Sequence, residues 1–190
     1  MAGIAMAQVF DPKVLAEIAK KGIGLSHDRM FGVVHEALRE QYPRHIHPGI
    51  RWIFNNAGGA MGQMTLLHAS LTEYLLFFGT PIGTEGHSGR YRTAVWDFML
   101  EGEMWCYVEG ETARTVYRPG EYAHLGASKV KGYRIPDHGW MLEYARGPIP
   151  TMLPFGLADS LFSTVDYRCV LRSLWMYGRL TLKELMQGKL

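Results

Sequence analysis

Asp97 and Glu143 are the residues of this chain whose surroundings best suit chemistry. In "RTAVWDFMLEG", residues 92–102, strand alternation aligns Val95, Asp97 and Met99 opposite Trp96, Phe98 and Leu100. In "GWMLEYARG", residues 139–147, it aligns Met141, Glu143 and Ala145 opposite Trp140, Leu142 and Tyr144. Each acid therefore has apolar neighbours whichever face is buried. A carboxylate in such company is costly to ionise unless paired, and two carboxyls brought together share one proton. A pair of that kind can act as acid and base. Three alternatives stay open at this level: an arginine could satisfy each acid, backbone N–H groups could do so, or one acid could sit at an exposed edge.

Other chemistry finds less support. "HIH", residues 45–47, has the look of a metal site, and "RPGEYAH", ending at His124, has the look of half a cupin metal motif. The first falls in the loop after a helix, and no H-x-H followed by a glutamate lies on a strand. The expectation is no metal and no cofactor. There is no G-x-S-x-G, no phosphate-binding G-x-x-x-x-G-K-[ST], and neither Cys106 nor Cys169 has an activating histidine beside it. Hydrolases and nucleotide enzymes drop out, and the two cysteines read as small apolar residues in a reducing setting.

The elements that must position the two acids follow from patterning. With 47% apolar residues, 190 residues can bury one sizeable core, so one domain spanning 1–190 is expected. A net charge of +2 with no dense Lys/Arg block argues against nucleic acid. The first ten residues lack a signal-peptide pattern, and no run approaches the ~20 apolar residues of a spanning helix. Residues 11–43 read as two amphipathic helices. The first is capped by Asp11 with Pro12 in its opening turn and Gly22 as a stop; the second carries Met30, Phe31, Val34 and Leu38 on one face and is closed by Pro43. Residues 52–146 alternate short apolar runs with turn clusters, the texture of an antiparallel barrel or sandwich. Residues 154–187 return to helical periodicity, with a cap expected at Ser163 or Thr164. The glycine-dense "FFGTPIGTEGHSGRY", residues 77–91, reads as a sharp turn from one barrel strand into the strand bearing Asp97. A phosphate cradle would need a following helix and a lysine there.

Two long segments carry a family resemblance: "NNAGGAMGQMTLLHASLTEYLLFFGTPIGTEGHSGRY" and "GWMLEYARGPIPTMLPFGLADSLFSTVDY". From about His27 to Tyr177 the chain resembles the family joining fungal sterol C-8 isomerase to the sigma-one receptor. The resemblance implies an α+β fold: a cupin-like antiparallel β-barrel around a closed apolar pocket, with two N-terminal helices and C-terminal helices facing a membrane. It implies a homotrimer, and the endoplasmic reticulum in a eukaryote. It assigns Glu143 to the acid that binds the amine of sigma ligands, Asp97 to its carboxyl partner, and Tyr74 to the tyrosine that orients the glutamate. On a strand Tyr74 shares a face with Leu76 and Phe78. Met64, Leu66, Val95, Leu153 and Tyr177 fall where the family lines its pocket.

The activity implied is sterol Δ8–Δ7 isomerisation. The alternative is a non-catalytic, sigma-receptor-like protein binding cationic amphiphilic amines or sterols; a plain lipid carrier would have no use for two buried acids. "YRCVLRSLWMYGRLTLKELMQGKL" carries Arg168, Arg172, Arg179, Lys183 and Lys189 against Glu184 alone, a composition suited to a helix on a lipid surface. No counterpart of the family's N-terminal spanning helix is found in these residues.

Overall fold

The structure is a computed structural model describing residues 8–190; most of the N-terminal stretch read above for a signal peptide lies outside the described residues. Helix α1 (Pro12–Lys20) begins where expected, with the Asp11 side chain accepting a 2.8 Å hydrogen bond from the backbone N–H of Lys13. Helix α2 (His27–Gln41) follows. Strands β1 (Ile53–Ala57), β2 (Ala60–Ala69), β3 (Glu73–Thr80), β4 (Thr84–His87) and β5 (Ala94–Gly102) come next. They are followed by β6 (Met104–Val108), β7 (Thr115–Tyr117), β8 (Tyr122–Leu125), β9 (Lys131–Ile135) and β10 (Gly139–Arg146). A 3₁₀ turn (Ile149–Met152) leads into α3 (Leu153–Phe162) and α4 (Tyr167–Met186).

The strands form two antiparallel sheets, ordered β1-β2-β3-β10-β5-β8 and β4-β9-β6-β7. The class is α+β with antiparallel strands, as expected, with one difference from the barrel that the resemblance implies. The strands pair as two sheets whose edges do not join, so the barrel is an open cup rather than a closed cylinder.

The large sheet is buried on both faces, and alternation decides which residue goes where. Leu75, Phe77, Trp96, Phe98, Leu100, Trp140, Leu142 and Tyr144 pack with Leu15 and Ile18 of α1 and Met30, Val34 and Leu38 of α2. The opposite set, Leu66, Leu76, Phe78, Met99 and Met141, packs with Met104, Cys106 and Ile135 of the small sheet and Met176 and Leu180 of α4. A one-residue slip of β10 would send Glu143 among the aromatic side chains under the helices.

Two local expectations are corrected. The glycine-dense segment is not a single turn from β3 into β5. The chain crosses at Gly83, in the left-handed region with φ +79°, to contribute β4 to the small sheet, and only then returns to the large sheet as β5. Gly86 is needed for close approach: a Cβ there would lie 2.6 Å from the carbonyl oxygen of Gly58. The cap of α4 is neither Ser163 nor Thr164. Asp166 fills that place, its carboxylate accepting from the N–H of Cys169 at 3.1 Å. An aspartate at this position offers a stronger acceptor than a hydroxyl and complements the helix dipole. Both cysteines are free and buried. Among the described residues, no helix is long and apolar enough to cross a membrane.

Glu73, at the start of β3, ties the two ends of the chain together. Its carboxylate accepts from the Val9 N–H (3.0 Å), the Tyr144 hydroxyl (2.6 Å) and the Lys189 ammonium (2.6 Å). Burial by itself would raise its pKa, but these donors outweigh burial and hold the carboxyl below its ordinary value.

Candidate functional site

A cavity of about 190 Å³ opens between the two sheets and is covered by α3 and α4. Every site residue named from the sequence borders it. Strand β2 brings Met64 and Leu66; β3 brings Tyr74, Leu76 and Phe78; β5 brings Val95 and Asp97; β10 brings Glu143. Leu153 reaches it from the start of α3 and Tyr177 from α4, where the Tyr177 hydroxyl donates to the carbonyl of Ser70 at 3.2 Å. The alternate residues of β3, β5 and β10 all turn inward together because the three strands are hydrogen-bonded neighbours in one register.

That register puts Glu143 directly opposite Asp97 across the β10–β5 pair, where side chains on one face stand about 4.5–5.5 Å apart at Cβ. Two acids thus sit side by side on the cavity floor. Their partners differ. Asp97, 3% exposed, takes a short hydrogen bond and ion pair from the ammonium of Lys131 on β9, itself 6% exposed. Burial would strip Lys131 of its proton, but the charge of Asp97 and the bond between them outweigh it and raise the ammonium's pKa. Glu143 accepts a 2.5 Å hydrogen bond from the Tyr74 hydroxyl.

The pKa of Glu143 is pushed up to about 7, first by removal from water and then by the negative charge of Asp97; Tyr74 and Lys131 pull the other way. Glu143 is half-buried because it borders the cavity, and removal from water is still the strongest influence on its titration. Tyr74 is raised well above its ordinary value by burial and then by the Glu143 charge, so it stays a donor. The arrangement is one carboxyl with a raised pKa beside a second carboxyl group ion-paired to a buried ammonium. It can deliver a proton, receive one, or hold a positive charge.

Lys131 was missed by reading the sequence for acids. The signal was present: in "KGYRI", alternation sets Lys131, Tyr133 and Ile135 on one face, and Ile135 is fully buried. A lysine on the inward face of an apolar strand calls for a counter-ion. Tyr91 and Tyr133, also on the cavity wall, were missed as well. Tyr91 donates a short hydrogen bond to the carbonyl of Ser88, and Ser88 Oγ accepts from the N–H of Lys131 at 3.0 Å. The glycine-dense segment therefore helps to seat the lysine.

The family model described as "ERG2 and Sigma1 receptor like protein" matches residues 4–189. The chain belongs to that family. Among relatives within the ERG2 and Sigma1 receptor like family, the "C-8 sterol isomerase ERG2" of Gibberella zeae is 43% identical over 185 residues, covering 96% of this chain and 79% of its own. The "Protein erg2 homolog" of Dictyostelium discoideum is 42% identical, covering 93% and 76%. The "Sigma non-opioid intracellular receptor 1" of Gallus gallus is also 42% identical, covering 92% and 80%. Isomerases and receptors of this family thus stand at the same distance from the chain, and overall identity does not separate the two activities.

Proposed function

We propose that the protein is a sterol Δ8–Δ7 isomerase whose proton donor is Glu143. The observation that carries this reading is the asymmetry of the pair: a carboxyl with its pKa raised to about 7 directly opposite a carboxylate clamped by a buried ammonium. A general acid works best with its pKa near the operating pH. Protonated Glu143 gives its proton to C9 of the ring alkene, forming the C9–H bond and leaving a tertiary cation at C8. The C7–H bond then breaks, its electron pair forms the C7=C8 double bond, and the proton goes to Asp97, whose negative charge has steadied the cation. Between turnovers Asp97 gives up this proton to solvent and Glu143 takes a fresh one from it, which restores the starting state. The apolar walls of Met64, Leu66, Leu76, Phe78 and Val95 keep out water, which would otherwise trap the cation as an alcohol.

Incubation with an 8-unsaturated sterol in deuterated water tests this. The expected product carries one deuterium at C9, and Glu143→Gln makes none. Conversion by Glu143→Gln at the wild-type rate would remove the glutamate from the mechanism. The receptor reading is favoured by the avian relative's name and by one feature of the site: Asp97 already has a cationic partner in Lys131, whereas Glu143 has none and can take a protonated amine as its own. Tight amine binding without sterol conversion would select it.

Association with a membrane surface is part of the same proposal. On the outer side of α3 and α4, Phe162 (85%), Leu171 (68%), Trp175 (56%), Leu182 (58%) and Met186 (76%) are exposed beside Arg168, Arg172, Arg179 and Lys183. Sterol would enter from the lipid past α3 and α4, which cover the cavity. Flotation with anionic vesicles tests the surface. Placement at the endoplasmic reticulum in a eukaryotic host and assembly as a homotrimer rest on the resemblance alone; fractionation and light scattering, the latter giving three times the 21.5 kDa chain mass, check them.

A further inference from the structure

The H-x-H of the second loop has a counterpart that its spacing did not reveal. His45 in that loop, His68 on β2 and Glu184 near the end of α4 converge at a point away from the cavity; none of them lines it. One ligand atom from each lies within 4.8 Å of the others. The Glu184 carboxylate stands between the two rings, Oε2 at 2.7 Å from His45 Nδ1 and Oε1 at 3.8 Å from His68 Nδ1. Glu184 and His68 are 1% and 0% exposed, whereas the His45 side chain, 20% exposed, opens the group to solvent. His68 Nδ1 lies 3.1 Å from the His45 carbonyl oxygen, and its Nε2 is buried without a hydrogen-bond partner among the described residues. His47 takes no part: its Nδ1 is engaged with the backbone of Gly49.

We infer that His45, His68 and Glu184 form a site for a divalent transition-metal ion of the zinc class. Two imidazoles and one carboxylate are a common three-ligand set for zinc, with metal–ligand bonds of about 2.0–2.2 Å in a tetrahedron. Such bonds hold ligand atoms about 3.3 Å apart; the two carboxylate-to-ring spacings, 2.7 and 3.8 Å, straddle that value, and all three ligand atoms lie within 4.8 Å, so binding draws the group together. Magnesium and calcium, which want oxygen donors, are not suited to it. Solvent past His45 supplies a route for the ion and a fourth ligand. A neutral imidazole offers one ring lone pair, and coordination through His68 Nδ1 replaces its 3.1 Å contact with the His45 carbonyl and moves the ring proton to Nε2, which is buried without a partner among the described residues. The bound ion ties the last turn of α4, which covers the cavity, to the loop after α2 and to the large sheet.

The test uses the full chain stripped with a chelator. Zinc titrated calorimetrically binds with a stoichiometry of one per chain, and cobalt substituted at the same site gives the visible bands of a four-coordinate ion. His45→Ala, at the surface, weakens zinc binding more than about tenfold, and Glu184→Gln does the same; His47→Ala leaves it unchanged. Absence of the cobalt bands, or zinc binding that His45→Ala leaves intact, overturns the site and leaves the His45–Glu184 contact as a hydrogen bond only. Should Glu184→Gln fold poorly, His45→Ala decides the matter by itself.

Discussion

Replacing Glu143 by glutamine isolates the electrostatic claim from catalysis. In the folded protein the carboxyl titrates near 7 against an ordinary 4.5, so folded Glu143 holds its proton more tightly than unfolded Glu143 does. Stability from this group is therefore intact below about pH 4.5, falls as the pH rises, and is fully lost above about 7. At about 1.4 kcal/mol per pH unit the loss comes to about 3 kcal/mol. Glutamine has no such titration and still accepts from Tyr74. Glu143→Gln should match the wild type at pH 4 and exceed it at pH 8 by about 3 kcal/mol, or roughly 6–12 °C in Tm for a chain of this size. Urea denaturation followed by circular dichroism from pH 4 to 9 measures both curves. Parallel curves, with the variant shifted equally at every pH, would refute the idea that Glu143 is the group holding the proton.

Three other substitutions probe the surroundings. Asp97→Asn leaves the ammonium of Lys131 buried without its anion and should cost about 3–5 kcal/mol near pH 8, the opposite sign to Glu143→Gln; a urea midpoint equal to the wild type would contradict the ion pair. Tyr74→Phe removes a hydrogen bond that favours the Glu143 anion, so the basic limb of kcat/KM for sterol conversion should move to higher pH, and an unmoved limb would show that Tyr74 does not act on the acid. Gly83→Ala forces a side chain into φ +79° with its Cβ 2.9 Å from the carbonyl of Ile135; a loss of about 1–2 kcal/mol is expected, and a neutral result would mean the crossing between sheets relaxes freely.

What could be read from the sequence was whatever local periodicity controls. Alternation in β5 and β10 showed that Asp97 and Glu143 each keep apolar company, and the capping chemistry of Asp11 marked the start of α1; that the two acids face each other followed from the family resemblance and from the strand register, not from alternation. Pairings between distant segments could not be read this way. Nothing near "TEGH" says that it joins β9 in a second sheet, because a four-residue strand has too few alternations to announce itself. His45, His68 and Glu184 come from a loop, a strand and a helix, the first and the last 139 positions apart; no local ligand spacing in the sequence brings them together.

Glu73 and Glu143 show why burial alone does not identify a working acid. Both are glutamates on adjacent strands, Glu73 buried and Glu143 half-buried, and in both, removal from water is the strongest upward push on the pKa. Glu73 meets an ammonium, a hydroxyl and a backbone N–H, and its carboxyl ends below the ordinary value as a fixed anion that staples the chain ends. Glu143 meets one hydroxyl and a neighbouring negative charge, and the lysine that could have neutralised it is spent on Asp97. Burial and the Asp97 charge therefore raise the pKa of Glu143, and the Lys131 ammonium, bonded to Asp97, opposes them only in part.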